Sequence, residues 1–123
     1  MLKKVLIVED SALQAKMYRM VFGTYPECEL VFAQDGIEAM NQLALERDID
    51  LIISDINMPK MDGLSFLQAM NREGYTIPVI VISTEDKDDD IRRAIELGAK
   101  AYIKKPWKQD NIREVIRKVK NWN

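Results

Sequence analysis

The sequence of 123 residues contains no histidine and a single cysteine, Cys28. The absence of histidine excludes a histidine general base, a zinc site with histidine ligands and a phosphohistidine intermediate in this chain. A single cysteine cannot form an internal disulfide bond or a thiolate metal cluster. Any chemistry must therefore depend on carboxylates, lysines, hydroxyl groups or a bound metal ion.

Long apolar runs and a dominant charge are also missing. No run approaches the roughly 20 apolar residues that a membrane helix needs, and the first residues lack the pattern of a secretory signal. We therefore expect no membrane insertion and a cytoplasmic location. The net charge of −2 predicts no direct binding of nucleic acid, which usually requires a basic face. The length and the hydrophobic content of 47% fit one domain over residues 1–123.

Strand-like and helix-like segments alternate along the chain. Near-continuous apolar runs, typical of strands covered on both faces, lie near residues 4–8, 29–33, 50–54, 78–83 and 100–104. Apolar spacing predicts helices over about 11–22, 35–45, 64–71 and 88–97, and a fifth one that carries Ile112, Val115, Ile116 and Val119. In the fourth helix we expect Ile91, Ala94 and Ile95 to face inward. Five such units predict an α/β fold with a doubly wound parallel sheet.

Polar residues with complementary chemistry lie at the ends of four predicted strands. They are Glu9, Asp10, Asp55, Ser83 and Lys105. Because strand ends of one polarity meet at the same edge of a parallel sheet, we expect these side chains to converge. Taken singly, a strand-end aspartate is more often a helix cap and a lysine is usually solvated. Their shared position favours a common site.

Clustered carboxylates repel one another unless a cation lies between them. A set of oxygen donors without a soft ligand favours Mg²⁺ or a similar hard ion such as Mn²⁺. Asp55, which follows a buried strand, is the best-placed nucleophile toward a phosphoryl donor, and Lys105 is placed to pair with the oxygens of the transferred group.

Five segments resemble the CheY-like receiver domains of bacterial two-component response regulators, and the resemblance extends over essentially the whole chain. The segments are VEDS at 8–11, SDINMP at 54–59, MDG at 61–63, VIST at 81–84 and YIKKPW at 102–107. The resemblance implies a flavodoxin-like sheet of five parallel strands in the order 2-1-3-4-5, with five helices.

The resemblance also implies residue roles at the acidic site. Asp55 is the phosphoacceptor. Asp10, Asp55 and the main-chain carbonyl of Asn57 ligate Mg²⁺, and Glu9 acts through water. Asn57 and Glu85 occupy positions that tune the lifetime of the phosphorylated state.

Further implied roles concern the response to phosphorylation. Ser83 and Lys105 contact the phosphoryl group, and the peptide bond between Lys105 and Pro106 is cis. Tyr102 is a switch residue that moves from an exposed to an inward position.

Two residues beside this path leave alternatives open. Thr84 stands where many relatives have alanine or glycine, and it either slows the access of donors or faces solvent. Trp107 is either a contact residue of the switching face or a cover for the end of the sheet.

The implied function is that of a switch that modifies itself, not an enzyme that turns over a separate substrate. A sensor histidine kinase or a small phosphodonor would phosphorylate Asp55. The face formed by the fourth helix, fifth strand and fifth helix would then control a target protein, with a phosphatase as a possible further partner. The protein would be a monomer or a phosphorylation-dependent dimer.

Several alternatives compete with this interpretation. The chain could be a stand-alone chemotaxis-like regulator, a phosphorelay intermediate or a receiver excised from a longer regulator. A dehalogenase-type phosphatase would need a second aspartate where Asn57 lies. A flavodoxin-like electron carrier would need a hydroxyl-rich loop after the first strand, and no P-loop motif is present.

Overall fold

The computed structural model describes residues 2–84 and 88–119, in which strands and helices alternate strictly. The elements are β1 (Lys4–Val8), α1 (Ala12–Phe22), β2 (Glu29–Ala33), α2 (Gly36–Leu45), β3 (Leu51–Asp55), α3 (Gly63–Arg72), β4 (Val79–Ser83), α4 (Asp88–Glu96), β5 (Ala101–Lys104) and α5 (Gln109–Val119). None of the helices in these ranges has the length and apolar character required to cross a membrane.

The strands form one sheet in the order β2-β1-β3-β4-β5, and all neighbouring pairs are parallel. This confirms the predicted α/β class and the strand order that the resemblance implied. In the register of the sheet, Val8 pairs with Ser54, Asp55 with Ile82 and Ser83 with Lys104. The carboxyl ends of β1, β3, β4 and β5 therefore lie side by side at one edge.

Apolar layers cover both faces of the sheet because the central strands alternate side chains between them. The layer toward α2, α3 and α4 includes Leu6, Ile52, Val81 and Phe66. The opposite layer, toward α1 and α5, includes Ile7, Ile53, Ile82, Tyr18 and Ile112. All residues of β3 and β4 are buried, which explains their nearly continuous apolar sequences.

In helix α4, the prediction that Ile95 faces inward was wrong. Ala94 is buried and Ile91 is partly buried, but 49% of Ile95 is exposed. Helix α4 contacts the edge strand β5, and Ala94 is its one fully buried residue, so only a narrow stripe of the helix is covered. Ile95 follows Ala94 directly and is rotated by about 100° from that stripe.

The starts of the helices fix the loops at the carboxyl edge. The side chain of Ser11 accepts a hydrogen bond from the backbone of Gln14 at the start of α1. Asp35 caps α2 in the same way, and Asp62 caps α3. These caps satisfy amide groups that would otherwise lack partners, and they hold the connections that follow β1, β2 and β3.

Candidate functional site

Three carboxylates meet at the carboxyl edge of the sheet. Glu9 and Asp10 directly follow β1, and Asp55 is the last residue of β3. One ligand atom from each lies within 4.8 Å of the others. Glu9 is 5% exposed and Asp55 is 7% exposed, whereas Asp10 lies open to solvent. The structure therefore brings the predicted acids together, with one side of the cluster accessible.

Lys105 reaches into this cluster from the loop after β5. Its Nζ atom lies 2.9 Å from Oδ2 of Asp55 and 3.3 Å from Oε2 of Glu9, so the ammonium bridges both buried acids. The peptide bond between Lys105 and Pro106 is cis, as the resemblance implied. The neighbouring Lys104 is exposed. The geometry thus agrees with the assignment of the lysine role to position 105.

Burial and the neighbouring charges together shift the pKa values of Glu9 and Lys105. Burial raises the pKa of Glu9, the ammonium of Lys105 opposes that rise, and the charge of Asp55 adds to it. Burial alone would lower the pKa of Lys105, but the hydrogen bond and charge of Asp55, followed by those of Glu9, raise it overall. Lys105 therefore remains an ammonium ion at neutral pH.

The donor set fits a hard divalent cation. Among the described residues, the three carboxylates of the cluster face one ammonium group, that of Lys105. All of its ligand atoms are oxygens, and Asp10 leaves it open to water, which Mg²⁺ usually retains in protein sites.

The remaining predicted site residues surround the acids. Ser83 is fully buried at the end of β4, and the backbone N–H of Lys105 donates a hydrogen bond of 2.9 Å to its carbonyl oxygen. The backbone N–H of Asn57 points at Oδ1 of Asp55 across 3.4 Å. Thr84 is exposed, which agrees with the solvent-facing alternative.

The two remaining residues with predicted regulatory roles are Tyr102 and Glu85. Tyr102 on β5 is partly buried and packs against the apolar layer under α4. Glu85 lies outside the described residues.

Gly63 holds the loop that carries Asp55. Its N–H donates a hydrogen bond of 2.8 Å to the carbonyl oxygen of Ile56. A Cβ atom at this position would lie 2.3 Å from the carbonyl oxygen of Asp55 and 2.8 Å from the Cα atom of Ile56. The MDG motif therefore has a local physical reason, since only glycine permits this approach of two backbone segments.

Comparison with known proteins assigns the family. Residues 5–117 match the family model described as the response regulator receiver domain. This chain is a response-regulator receiver domain. It therefore belongs to the proteins of two-component signalling.

Relatives of this receiver domain differ in their overall organisation. The nitrate/nitrite response regulator protein NarP of Escherichia coli (strain K12) is 36% identical over 115 residues, which are 93% of this chain and 53% of that protein. Protein-glutamate methylesterase/protein-glutamine glutaminase 2 of Carboxydothermus hydrogenoformans is 40% identical over 126 residues, covering 95% of this chain and 35% of that protein. The chain thus spans about half or less of the length of these curated relatives.

Solved structures support the same fold. The chemotaxis protein CheY4 of Vibrio cholerae has a TM-score of 0.85 at 29% identity and covers 97% of this chain and 99% of its own. The receiver domain of a signal transduction histidine kinase from Syntrophus aciditrophicus has a TM-score of 0.83 at 33% identity, covering 95% and 89% of the two chains.

An aromatic pair beneath the receiver site was not predicted. Tyr18 of α1 is 2% exposed and stacks on Trp107, which is 5% exposed, with ring centroids 4.8 Å apart. Burial raises the pKa of Tyr18, and the charges of Glu9 and Asp55 raise it further, so the phenol lies near both acids. Trp107 is therefore a cover for the end of the sheet. An aromatic residue on the apolar stripe of α1 was the available signal, but its partner is distant in sequence.

Proposed function

We propose that this receiver domain accepts a phosphoryl group on Asp55, from a sensor histidine kinase or a small phosphodonor, in a reaction that depends on Mg²⁺ or Mn²⁺. The observation that carries this proposal is the ion-paired cluster in which Lys105 bridges Asp55 and Glu9 while Asp10 remains open to solvent. A nucleophile, a cationic partner and a set of cation ligands lie together in it.

The reaction follows from the placement of these groups. An Oδ atom of Asp55 attacks phosphorus, a new P–O bond forms, and the bond from phosphorus to the donor breaks with its electron pair leaving on the donor. Asp10, Asp55 and the carbonyl of Asn57 would hold the cation, with Glu9 acting through water. The cation, when bound, would neutralise negative charge on the transferring group.

Lys105 and Ser83 would respond to the product. Phosphorylation adds nearly two negative charges and three acceptor oxygens at Asp55. Lys105 already lies within 2.9 Å of that side chain, so its ammonium can pair with the new oxygens after a small movement. The hydroxyl of Ser83 would donate a hydrogen bond to them. Asn57 and Glu85 would tune how long this state persists.

The output would pass through the surface of α4, β5 and α5. Tyr102 and Lys104 on β5 line a shallow groove of about 360 Å³ with Asn111 and Lys118 of α5. Tyr102 would move inward when the loop after β4 shifts toward the phosphoryl group, with Thr84 as a neighbouring switch position. We propose that a downstream target protein binds this surface in the cytoplasm, without nucleic acid or membrane contact.

The signalling pathway in which this domain acts is a separate proposal. Residues 1–123 would act as one receiver unit, as a monomer or a phosphorylation-dependent dimer, with a phosphatase as a further partner. A stand-alone chemotaxis-like regulator is the first candidate, and a phosphorelay intermediate or part of a longer regulator is the alternative. A dehalogenase-type phosphatase is disfavoured because the amide of Asn57 cannot replace a catalytic carboxyl group.

Intact mass spectrometry after treatment with acetyl phosphate and Mg²⁺ tests the central step. We expect the wild type to gain the mass of one phosphoryl group, and Asp55→Asn to gain none. Asp62→Asn is the matched control, because asparagine also caps a helix well and Asp62 lies outside the acidic cluster. In the same samples, amide NMR shifts should extend from the site to α4, β5 and α5.

Two results would overturn the proposal. One is the absence of a mass gain in the wild type at any Mg²⁺ concentration. The other is an equal gain in Asp55→Asn, which would assign the phosphoryl group to another residue such as Ser83.

A further inference from the structure

Trp107 connects the loop of Lys105 to the interior of the protein. It lies two residues after Lys105 and directly after the cis peptide bond to Pro106. Within residues 105–108, Trp107 is the one fully buried residue, because Lys105 is partly exposed and its other neighbours are exposed. Its ring stacks on Tyr18 with an interplanar angle of 30°. The side chain that anchors this loop in the apolar layer is therefore Trp107.

The indole ring, and not its N–H group, makes this anchor. Nε1 of Trp107 is buried without a hydrogen-bond partner in the described part of the chain. It lies near enough to the phenol of Tyr18 to oppose the rise of that phenol's pKa. An unpartnered buried N–H opposes folding, so the stabilising contribution here must come from ring packing.

Hydrogen bonds flank the anchored loop on both sides. The N–H of Lys105 donates to the carbonyl of Ser83 over 2.9 Å, and the N–H of Lys108 donates to the side chain of Asn111 over 2.8 Å. Between these bonds, Trp107 is the one buried residue of the loop, and the side chain of Lys105 extends from the same stretch of backbone.

We propose that Trp107 is a positioning residue for Lys105, and that its stack on Tyr18 keeps the ammonium between the carboxylates of Glu9 and Asp55. The proposal rests on the proposed function only in that the same cluster binds the divalent cation. It adds a residue that touches neither cation nor phosphoryl group and yet controls the group that does.

A positioning role predicts opposite effects of a Trp107 substitution on Mg²⁺ affinity and on the rate of phosphorylation. The ammonium of Lys105 repels a divalent cation at the same carboxylates. If the ring of Trp107 is removed, Lys105 spends less time there, so Mg²⁺ should bind more tightly. Phosphorylation by acetyl phosphate should nevertheless slow, because Lys105 is less often placed to meet the phosphoryl oxygens. A merely structural role would weaken Mg²⁺ binding and slow phosphorylation together.

The test is a double-mutant cycle on Mg²⁺ binding by the unphosphorylated protein. Calorimetric Mg²⁺ titrations would compare the wild type with Trp107→Leu, Lys105→Met and the double variant. We expect Trp107→Leu to tighten binding about threefold in the presence of Lys105 and to have no further effect in the Lys105→Met background. Trp107→Phe, which keeps an aromatic ring, should stay close to the wild type.

Every outcome of the cycle is informative. Weaker Mg²⁺ binding in Trp107→Leu, or the same change in both backgrounds, would overturn the proposal. Thermal unfolding checks that each variant is folded. If Trp107→Leu does not fold, Tyr18→Leu removes the stack from the other side, and it should tighten Mg²⁺ binding with the same dependence on Lys105.

The cycle is independent of phosphoryl transfer. Coupling between Trp107 and Lys105 in a protein that never gains a phosphoryl group would support the positioning role and reject the proposed function. Phosphorylation of Asp55 without such coupling would do the reverse.

Discussion

Replacement of Lys105 by methionine should increase the affinity of the acidic cluster for Mg²⁺. Methionine has a similar length and no charge, so the substitution removes the ammonium that bridges Asp55 and Glu9 while largely preserving the shape of the side chain. In the wild type this ammonium lies 2.9 Å from Oδ2 of Asp55. It therefore opposes any second cation that binds the same carboxylate.

The size of the effect follows from that distance. Bonds between Mg²⁺ and oxygen are about 2.1 Å long, so an ion on either oxygen of Asp55 would lie at most about 5–7 Å from Nζ of Lys105. At the longer separation, Coulomb's law gives a repulsion of about 1.2 kcal/mol with the dielectric constant of water and about 5 kcal/mol with an effective value of about 20. Even the lower figure corresponds to an affinity about sevenfold higher in Lys105→Met.

Calorimetric titration of the metal-free protein with Mg²⁺ would measure this change. Lys104→Met is the matched control, because it removes the same charge from the preceding residue, which is exposed. We expect its affinity to change by less than about twofold, since solvent screens exposed charges. An unchanged or weaker affinity in Lys105→Met would refute the electrostatic reasoning, and an equal gain in Lys104→Met would show a general charge effect.

Two further predictions concern residues outside the ion pairs. Gly63→Ala should lower the free energy of unfolding in urea by more than Gly98→Ala, because its Cβ would lie 2.3 Å from the backbone oxygen of Asp55. At Gly98 there is open space and only the positive φ of 102° opposes alanine, at a cost of about 1–2 kcal/mol, and equal losses would contradict this explanation. Burial, with a smaller contribution from Asp50, raises the pKa of Cys28 to about 11. Iodoacetamide at pH 8 should thus alkylate it more slowly than a small thiol and faster after unfolding in urea, whereas equal rates would exclude the shift.

The sheet could be predicted because the signal for each buried strand is local. The run Val79–Ser83 contains only residues that tolerate complete burial, and the turn residues around it mark its ends. The order of the strands could not be predicted from such local signals. It depends on how distant segments pair, and it came from the resemblance of short motifs to a known family.

The acidic cluster could also be predicted, because parallel strands bring their carboxyl ends together whatever the order. The position of the lysine needed one further signal. Lys104 still belongs to β5 and is exposed, whereas Lys105 follows the strand and points into the cluster. Pro106, directly after Lys105, distinguishes the two lysines in the sequence.

Contacts between distant residues could not be predicted in this way. The stack of Tyr18 on Trp107 depends on how α1 lies against the loop after β5. The local sequence of neither segment indicates that the two are in contact. The exposure of Ile95 has a similar origin. Apolar spacing predicts which residues share a helix face, but the width of the covered stripe depends on the neighbouring elements.

The backbone around Lys105 gives the proposed switch a direct physical route. Lys105 donates its N–H to the carbonyl of Ser83, so the two residues proposed to contact the phosphoryl group are joined by a hydrogen bond of 2.9 Å. Ser83 also pairs with Lys104 in the sheet, and Val81 pairs with Tyr102 two residues earlier on each strand. A shift of Lys105 toward a phosphoryl group would therefore pull on β4 and β5 together. Tyr102 lies on the same short strand as Lys104. The effect of a charge change at Asp55 could therefore reach the proposed partner surface through β4 and β5 alone.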